Sequence, residues 1–273
     1  MKAGLYLPNF GYCGDVEILA ELAQEAENTG WDGVFLWDHL QVTEPTADPW
    51  VALTAMALAT ESIRLGTLVT PVPRRHIAKL AREVATLDRL SRGRMVLGAG
   101  SGYANLPDYS AFGDSGDAAA RAAKLDEGLP VLAALWSGEP VDHRGQHFTV
   151  TTAGFAPTVQ RPRVPIWTAA TAGAAKPLRR AARWDGMICA HEYGLEVAPD
   201  DLRAMVSAVK SQRTQDTPFD IIRFGHTADA HDVSIVEACA QAGATWWMES
   251  TFPALGTLEQ VRDRLRSGPP AVK

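Results

Sequence analysis

The chain has 273 residues, of which 46% are hydrophobic and 21% charged, as in an ordinary soluble globular protein. Its net charge of −6 argues against a nucleic-acid partner, because phosphate binding needs clustered Lys and Arg. Cys13, Cys189 and Cys239 are too far apart to indicate a disulfide framework or a zinc site. The first apolar run breaks at Pro8, too early for a signal peptide, and no run approaches the ~18 apolar residues of a membrane span. We therefore expect a cytoplasmic protein without a membrane partner.

Short apolar runs alternate with amphipathic helices along the first hundred residues. Four strands are predicted there, at Leu5–Asn9, Gly33–Trp37, Arg64–Thr70 and Met95–Gly100. Helices are predicted after Asp15, from Asp48-Pro49 to Thr60, and from Ile77 to Leu87. Between the third helix and the fourth strand, Arg89, Arg92 and Arg94 are expected to lie in a solvated turn.

The regular alternation then pauses. Residues 101–117 are rich in Gly, Asp, Ser and Pro, which predicts a long loop. A helix follows with Leu125 and Leu129 on one side, and residues 139–163 indicate a hairpin and a Pro-flanked linker. We expect residues 103–163, approximately, to form an insertion after the fourth strand.

Four further strands are predicted at Pro165–Ala170, Asp185–Ala190, Phe219–Gly225 and Ala244–Glu249. Their helices run from Gly173 to Arg183, from Pro199, from an Asp232 cap, and from a Thr257/Gln260 capping box. Eight strand–helix pairs predict an α/β fold, a (β/α)8 TIM barrel that forms a single domain over residues 1–273; such barrels need about 250 residues. No G-x-G-x-x-G fingerprint follows the first strand, which argues against a dinucleotide-binding sheet.

Barrel enzymes carry their active site at the carboxyl ends of the strands. The residues at these ends are Asn9, Phe10, Asp38, His39, Thr70, Ser101–Tyr103, Thr171–Gly173, His191, Glu192, His226, Thr227, Glu249 and Ser250. Histidines and carboxylates there raise the question of a metal site. Metal-dependent hydrolase barrels carry an H-x-H pair after the first strand, whereas this chain has Pro8-Asn9-Phe10, so we expect no metal. His226 and His231 are interpreted as ordinary surface or loop histidines, and His191 beside Glu192 as either a pocket residue or a solvated pair.

Two segments of small residues allow two interpretations each. Gly98–Gly102 provides either tight backbone turns or the close approach of a flat ligand, and it lacks the P-loop register. Thr168–Gly173 precedes a helix, so its small residues serve either packing or a phosphate site at the helix N-terminus.

Five segments in order resemble the luciferase-like monooxygenase family: residues 26–39, 48–72, 82–102, 125–141 and 160–167. The resemblance covers residues 1 to about 190, and the last 80 residues match only in strand–helix rhythm. It implies a homodimeric (β/α)8 barrel that uses reduced FMN from a separate flavin reductase, or the deazaflavin coenzyme F420. The sequence gives only a slight preference for FMN.

The resemblance also implies site residues. The cofactor ring would lie against the third strand, with a non-prolyl cis peptide within residues 67–69, which we expect between Leu68 and Val69. The implied cofactor-binding residues are Asp38, Leu68, Val69, Thr70, Gly100, Ser101, Gly102 and Tyr103, with Thr171, Ala172 and Gly173 near the phosphate. His39 is the expected catalytic proton donor or acceptor, with Asp38 pointing to the opposite face.

The predicted function is a flavin- or deazaflavin-dependent oxidoreductase of the monooxygenase type, acting on a small organic substrate. The alternatives are a flavin-binding protein without turnover and a metal-dependent barrel hydrolase. Tyr103 stands where deazaflavin-dependent sugar-phosphate dehydrogenases carry a Glu acid, which argues against sugar-phosphate oxidation. The apolar second helix, with the third, is predicted to form the homodimer interface.

Overall fold

The computed structural model describes residues 1–42, 44, 46–103, 108–114, 116–191, 194–252 and 256–271. Its strands are β1 (Lys2–Leu7), β2 (Gly33–Leu36), β3 (Arg64–Pro71), β4 (Met95–Gly100), β5 (Val141–Arg144), β6 (Thr149–Thr152), β7 (Ile166–Thr171), β8 (Gly186–Ala190), β9 (Asp220–Gly225) and β10 (Trp246–Ser250). Its α-helices are α1 (Val16–Asn28), α2 (Pro49–Ala59), α3 (Ile77–Leu90), α4 (Ala118–Leu135), α5 (Ala175–Ala181), α6 (Pro199–Lys210), α7 (Ser234–Gln241) and α8 (Leu258–Arg266). None of these helices has the length and apolar character needed to cross a membrane.

Eight of the strands form a closed parallel barrel in the order β1-β2-β3-β4-β7-β8-β9-β10, which confirms the predicted TIM barrel. β5 and β6 form a separate antiparallel hairpin at the predicted place between β4 and β7. α4, which belonged to the predicted insertion, follows β4 and packs against α3, so it occupies the position of the fourth barrel helix. The additional segments are therefore the loop before α4 and the hairpin after it.

Several predicted starting points differ from the structure by one to three residues, and two of these differences have a clear physical reason. β1 begins at Lys2, three residues before Leu5, because the Lys2 N–H already donates to the Thr245 carbonyl beside β10. α7 begins after Val233, because the Asp232 carboxylate accepts the Ala228 N–H and does not cap the helix.

Side chains along each strand alternate between the barrel interior and the layer beneath the helices. The interior cluster contains Tyr6, Phe35, Leu68, Val96, Trp167, Ile188, Ile222, Phe224, Trp246 and Met248. Trp37, two residues after Phe35, packs against this cluster. At the end of each strand, a residue two positions after an interior residue therefore faces the barrel mouth. The residues on either side of it in the chain face the helices.

Arg94 does not lie in a solvated turn, because only 9% of it is exposed. Its guanidinium donates to the carbonyl oxygens of Ala57 (2.8 Å), Thr60 (2.9 Å) and Ile63 (3.0 Å). The Ala57 and Thr60 carbonyls lie at the C-terminal end of α2, where no intrahelical donors remain, and Ile63 directly precedes β3. Arg94 thus satisfies polar groups that would otherwise be buried without partners.

Candidate active site

His39 lies at the mouth of the barrel, three residues after the end of β2. Its side chain is 19% exposed, and its ring makes an edge contact with the ring of Trp37, 5.7 Å between centroids. Trp37 packs on the barrel interior, so His39 continues the inward-facing side of the strand. This is the position expected for a group that meets a ligand at the mouth.

Asp38 faces the other way and its side chain is 1% exposed. Its Oδ1 atom accepts from Nη2 of Arg74 at 2.7 Å and from Nη2 of Arg75 at 2.5 Å. Both arginines follow β3, so the carboxylate ties the end of β2 to the turn after β3. Asp38 thus stabilises the backbone segments around the mouth from the side that faces the helices. The cofactor contact predicted for it stays a prediction.

Asp108, which the sequence reasoning missed, is the acid that contacts His39. Its Oδ2 lies 2.6 Å from His39 Nδ1, and its side chain is 1% exposed. Oδ1 accepts the N–H groups of Leu40 at 2.9 Å and Gln41 at 3.2 Å, and Arg74 Nη1 lies 2.9 Å from Oδ2. Burial raises the pKa of Asp108, but the His39 hydrogen bond, the charges of His39 and Arg74 and the Gln41 N–H outweigh it and hold the pKa below its ordinary value.

The only sequence signal for Asp108 was the long polar loop after the fourth strand. The neighbouring residue Tyr109 is also buried, and its hydroxyl donates to the Ser101 carbonyl at 2.9 Å. Gly102 adopts a left-handed φ of 80°, and a Cβ there would lie 2.7 Å from the Tyr109 ring. Gly102 therefore makes room for the Tyr109 ring, whereas Tyr103 is 49% exposed.

β3 is irregular between Thr67 and Thr70, where its register with β4 shifts. The peptide bond between Leu68 and Val69 is cis, as predicted. The hydroxyls of Thr67 and Thr70 lie 2.8 Å apart, and Thr70 is fully buried. The predicted ring-binding residues Leu68 and Val69 thus lie on a bulge whose side chains belong to or pack on the interior cluster.

The glycines of β4 are explained by this bulge. A Cβ at Gly98 would lie 2.0 Å from the Thr67 carbonyl oxygen, and one at Gly100 would lie 2.5 Å from Val69 Cγ2. Neither a carbon–oxygen nor a carbon–carbon contact can be so short, so β4 needs glycine at both positions. The G-x-G pattern and the β3 bulge are two halves of one packing arrangement.

The turn after β7 contains Thr171, Ala172 and Gly173, the residues predicted near a phosphate. Thr171 and Ala172 are partly exposed, and Gly173 is exposed with a left-handed φ of 76°. The Ala172 N–H already donates to the Ala190 carbonyl at 2.9 Å, and α5 has no side-chain cap. The turn is accessible, and its role in phosphate binding stays a prediction.

Aromatic rings line the mouth beside β1 and β2. Trp37 stacks on Tyr6 at 5.6 Å between centroids and meets Phe10 and Phe252 edge-on at 5.3 and 5.5 Å. Tyr6 in turn contacts Phe224 of β9 at 4.9 Å. The inward-facing positions of β4 are by contrast Gly98 and Gly100, so the end of β4 contributes no side chain to the mouth.

His226 lies just after the end of β9, as a partly exposed histidine with a buried carboxylate behind it. Its side chain is 32% exposed, and its Nδ1 lies 3.2 Å from Oε1 of the fully buried Glu249. Glu249 also accepts from the backbone and hydroxyl of Thr227 and pairs with Arg264 of α8. His231 is exposed, as expected. His191 pairs through its backbone with Gly194, and Glu192 lies outside the described residues.

Among the residues that the structure describes, no group of three or more His, Cys, Asp or Glu side chains could hold a metal ion.

Comparison with known proteins gives relatives that share sequence. The chain is 36% identical over 199 residues to the F420-dependent glucose-6-phosphate dehydrogenase of Beutenbergia cavernae, covering 69% of this chain and 57% of the relative. It is 34% identical over 210 residues to the enzyme of the same name from Nocardia farcinica, covering 73% and 61%. The matched region therefore spans only about three fifths of the length of these relatives.

Solved structures share the fold over most of this chain. An F420-dependent secondary alcohol dehydrogenase in complex with an F420-acetone adduct superposes with a TM-score of 0.81 at 18% identity, covering 100% of this chain and 99% of the other. A monooxygenase from Streptomyces bottropensis gives a TM-score of 0.72 at 26% identity, covering 98% and 79%. The sequence profile of the family described as luciferase-like monooxygenase matches residues 3–268. The chain therefore belongs to the luciferase-like monooxygenase family.

Proposed function

We propose that the protein is an oxidoreductase that uses coenzyme F420 and exchanges a hydride with the carbon of an alcohol or carbonyl group in a small organic substrate. The observation that carries this proposal is His39, which is partly exposed at the mouth, backed by the buried Asp108, and adjacent along the barrel to the β3 bulge. Oxidation of an alcohol removes a hydride from carbon and a proton from oxygen, so the site needs a proton acceptor as well as a hydride acceptor.

The comparisons shift the preference between the two cofactors. The relatives at 34–36% identity carry F420 dependence in their names, and so does the secondary alcohol dehydrogenase with the similar fold. The slight preference for FMN in the sequence is therefore replaced by F420. The monooxygenase from Streptomyces bottropensis, at 26% identity, keeps reduced FMN and oxygen as the second candidate.

The residues present suit a flat ring. Glycines at positions 98 and 100 let the Leu68–Val69 bulge pack directly on β4, and the Leu68 and Val69 side chains belong to or pack on the interior cluster, where a flat ring would contact them. Leu68, Val69 and the segment 100–102 would lie against the ring, and the accessible turn 171–173 would lie near the phosphate. When bound, the cofactor accepts or supplies the hydride.

His39 would move the proton. Its Nδ1 faces Asp108, while its Nε2 forms no hydrogen bond with any residue in the described part of the chain. Nε2 would accept the hydroxyl proton of an alcohol as the hydride leaves, and it would return a proton to the carbonyl oxygen in the reverse direction. The neutral imidazole would accept the proton and the imidazolium would return it, and imidazole changes between these two forms near neutral pH.

The substrate would be a small, mainly apolar alcohol or ketone. Tyr6, Phe10, Trp37 and Phe252 form the nearest wall, which favours apolar substituents. Tyr103 replaces the Glu of sugar-phosphate dehydrogenases, which argues against a phosphorylated sugar even though the relatives carry that substrate in their names.

The proposed assembly is a homodimer through α2 and α3. Val51 and Leu58 of α2 are 59% and 70% exposed, and Leu90 at the end of α3 is 39% exposed. A cleft of about 340 Å³ lies between the two helices and is lined by Trp50, Thr54, Lys79, Arg82, Glu83, Thr86, Leu87 and Leu90. Apolar side chains exposed beside a cleft favour burial against a second copy. With reduced FMN, a separate flavin reductase would be a further partner.

Titration of the protein with F420 and with FMN, followed by absorbance and melting temperature, tests the cofactor, because a ligand of the native state raises its stability. The reaction is then followed as loss of F420 absorbance with propan-2-ol, and as its return when reduced F420 meets acetone. Oxygen uptake with reduced FMN tests the second candidate. Binding of neither cofactor would refute the proposal, and binding without turnover of any alcohol or ketone would favour a flavin-binding protein.

A further inference from the structure

The two carboxylate oxygens of Asp108 have separate partners. Oδ1 accepts the N–H groups of Leu40 and Gln41, at 2.9 and 3.2 Å. Oδ2 faces His39 Nδ1 at 2.6 Å and Arg74 Nη1 at 2.9 Å. The backbone bonds to Oδ1 orient the carboxylate, so that Oδ2 is aimed at the imidazole.

This geometry determines which ring nitrogen of His39 carries the proton. An ionised carboxylate can only accept a hydrogen bond, and the pKa of Asp108 is held below its ordinary value. At 2.6 Å the bond therefore requires a proton on Nδ1. A neutral imidazole held in this way has its lone pair on Nε2.

We propose that Asp108 is a positioning residue that keeps the neutral His39 ring in the Nδ1-protonated form, so that Nε2 is the nitrogen that exchanges a proton with the substrate. The tautomer follows from the contacts of an ionised Asp108, and only the identity of the reaction at Nε2 rests on the proposed function.

Asp38 does not compete for this role. It is next to His39 in the chain, but its Oδ1 binds Arg74 and Arg75 on the other side of the strand end. Arg74 bridges the two acids, because Nη2 donates to Asp38 and Nη1 lies beside Asp108. The side chains of Asp38 and His39 thus point to opposite sides of the strand end, and Asp108 is the acid that contacts the His39 ring.

Tyr109, the residue after Asp108, helps to hold Asp108 in place. Both side chains are buried, and the Tyr109 ring packs beside Gly102 with Arg121 4.7 Å from the ring centroid. Tyr109 therefore packs this segment against Gly102, while the adjacent Asp108 contacts the imidazole. Mutation of one residue at a time can separate the two roles.

The test uses Asp108→Asn. An Asn side chain can keep its oxygen on the Leu40 and Gln41 N–H groups, which places its NH2 group opposite His39 Nδ1. An NH2 group donates, so Nδ1 must become an acceptor and the proton moves to Nε2. In the serine-protease triad the corresponding Asp→Asn change holds the imidazole in the wrong tautomer and lowers turnover about 10⁴-fold.

The primary readout is long-range ¹H–¹⁵N NMR of the His39 ring in the protein without cofactor, at a pH where the ring is neutral. In the wild type we expect the unprotonated nitrogen, which resonates far downfield of the protonated one, to be Nε2. In Asp108→Asn it should be Nδ1. A wild-type ring protonated on Nε2 overturns the proposal, and so does an unchanged tautomer in the folded variant. The wild-type spectrum alone decides the point if the variant does not fold.

Two matched variants separate this effect from loop damage. Asp114→Asn changes an exposed aspartate of the same loop, and Tyr109→Phe removes the hydroxyl bond to Ser101 while leaving Asp108 in place. Both variants should keep the wild-type tautomer. If Tyr109→Phe loses it as fully as Asp108→Asn does, the effect comes from the packing of Tyr109 and not from the Asp108 carboxylate.

The kinetic measurement uses propan-2-ol and F420. Asp108→Asn should lower kcat by about 10²-fold or more, with KM and F420 affinity changed only a few-fold. An equal loss through KM with an unchanged kcat contradicts the positioning role. A wild type that turns over no substrate would refute the proposed function, whereas the NMR result would still decide the tautomer.

Discussion

Gly98→Ala tests whether the packing of β4 against the β3 bulge supports the cofactor site. A Cβ at position 98 would lie 2.0 Å from the Thr67 carbonyl oxygen and 2.9 Å from Leu68 Cδ2. An ordinary contact between these atoms is about 3.5 Å, so the strands must separate by roughly 1 Å or more. The obstructing atom belongs to the backbone of β3, which is paired on both sides and cannot rotate away as a side chain would.

The expected size of the effect follows from overpacking. Forcing one extra carbon into a close-packed interior typically destabilises by about 1–3 kcal/mol, and a similar loss in binding energy corresponds to roughly a 5- to 150-fold weaker Kd. We therefore expect Gly98→Ala to lower the free energy of unfolding by about 1–3 kcal/mol and to weaken F420 binding by about 5- to 150-fold.

Denaturant unfolding and cofactor titration measure the two effects on the same preparation. Gly116→Ala is the matched control, because a Cβ there meets no atom within 4 Å, and it should change neither quantity appreciably. If Gly98→Ala unfolds at the same denaturant concentration as the wild type and binds the cofactor equally well, the link between the G-x-G pattern and the bulge is wrong.

Three further predictions concern catalysis, acid stability and assembly. His39→Ala should keep the fold and most of the cofactor affinity but lower turnover by about 10²-fold or more; unchanged turnover of propan-2-ol would remove His39 from the proton-transfer role. Burial raises the pKa of Glu27, but hydrogen bonds from Glu61, Ser62 and Ile63 outweigh it and hold the pKa at about 2. Because this pKa lies below the unfolded value of about 4.3, the stabilisation is fully present above about pH 5 and is lost as the pH falls towards 2. The difference in unfolding free energy between the wild type and Glu27→Gln should therefore shrink on acidification, and a constant difference would contradict this account. Leu58→Glu, on the exposed face of α2, should shift the molar mass measured by light scattering from dimer to monomer, whereas Leu195→Glu, at an exposed leucine outside α2 and α3, should not. A wild-type monomer at micromolar concentration would argue against the dimer.

Local patterns in the sequence were sufficient for the order of elements and for the barrel. β4 begins and ends at the predicted residues, Met95 and Gly100, because its apolar run is bounded by charged and Gly-rich segments. The Thr257/Gln260 capping box is present at the start of α8. These features depend on backbone preferences and side-chain contacts within a few residues, so one segment of sequence contains all the information. The position of His39 at the mouth followed in the same way from the end of one strand.

The family resemblance, carried by several motifs in order, added the cis peptide between Leu68 and Val69, which no propensity or periodicity would have indicated. The tertiary structure alone explained the neighbouring glycines, because the atoms that exclude a Cβ at Gly98 belong to a different strand. A sequence pattern can show that glycine is present, but only the packed barrel shows what would occupy the space.

Only the tertiary structure decided which charged residues belong to the site. Asp38 is adjacent to His39 in the chain, yet strand geometry sends the two side chains to opposite faces, and Asp108, 69 positions away, reaches the imidazole. Arg94 was predicted to lie in a solvated turn, but it is buried. It binds carbonyl oxygens more than 30 positions away, at and just after the end of α2. Closing the barrel brings distant segments together, and a buried charge then takes whichever partner the closed fold presents, because an unpaired charge in the interior would be far less stable. The sequence by itself therefore determined the fold and the family, while the partners of its buried charges were settled by the closed barrel.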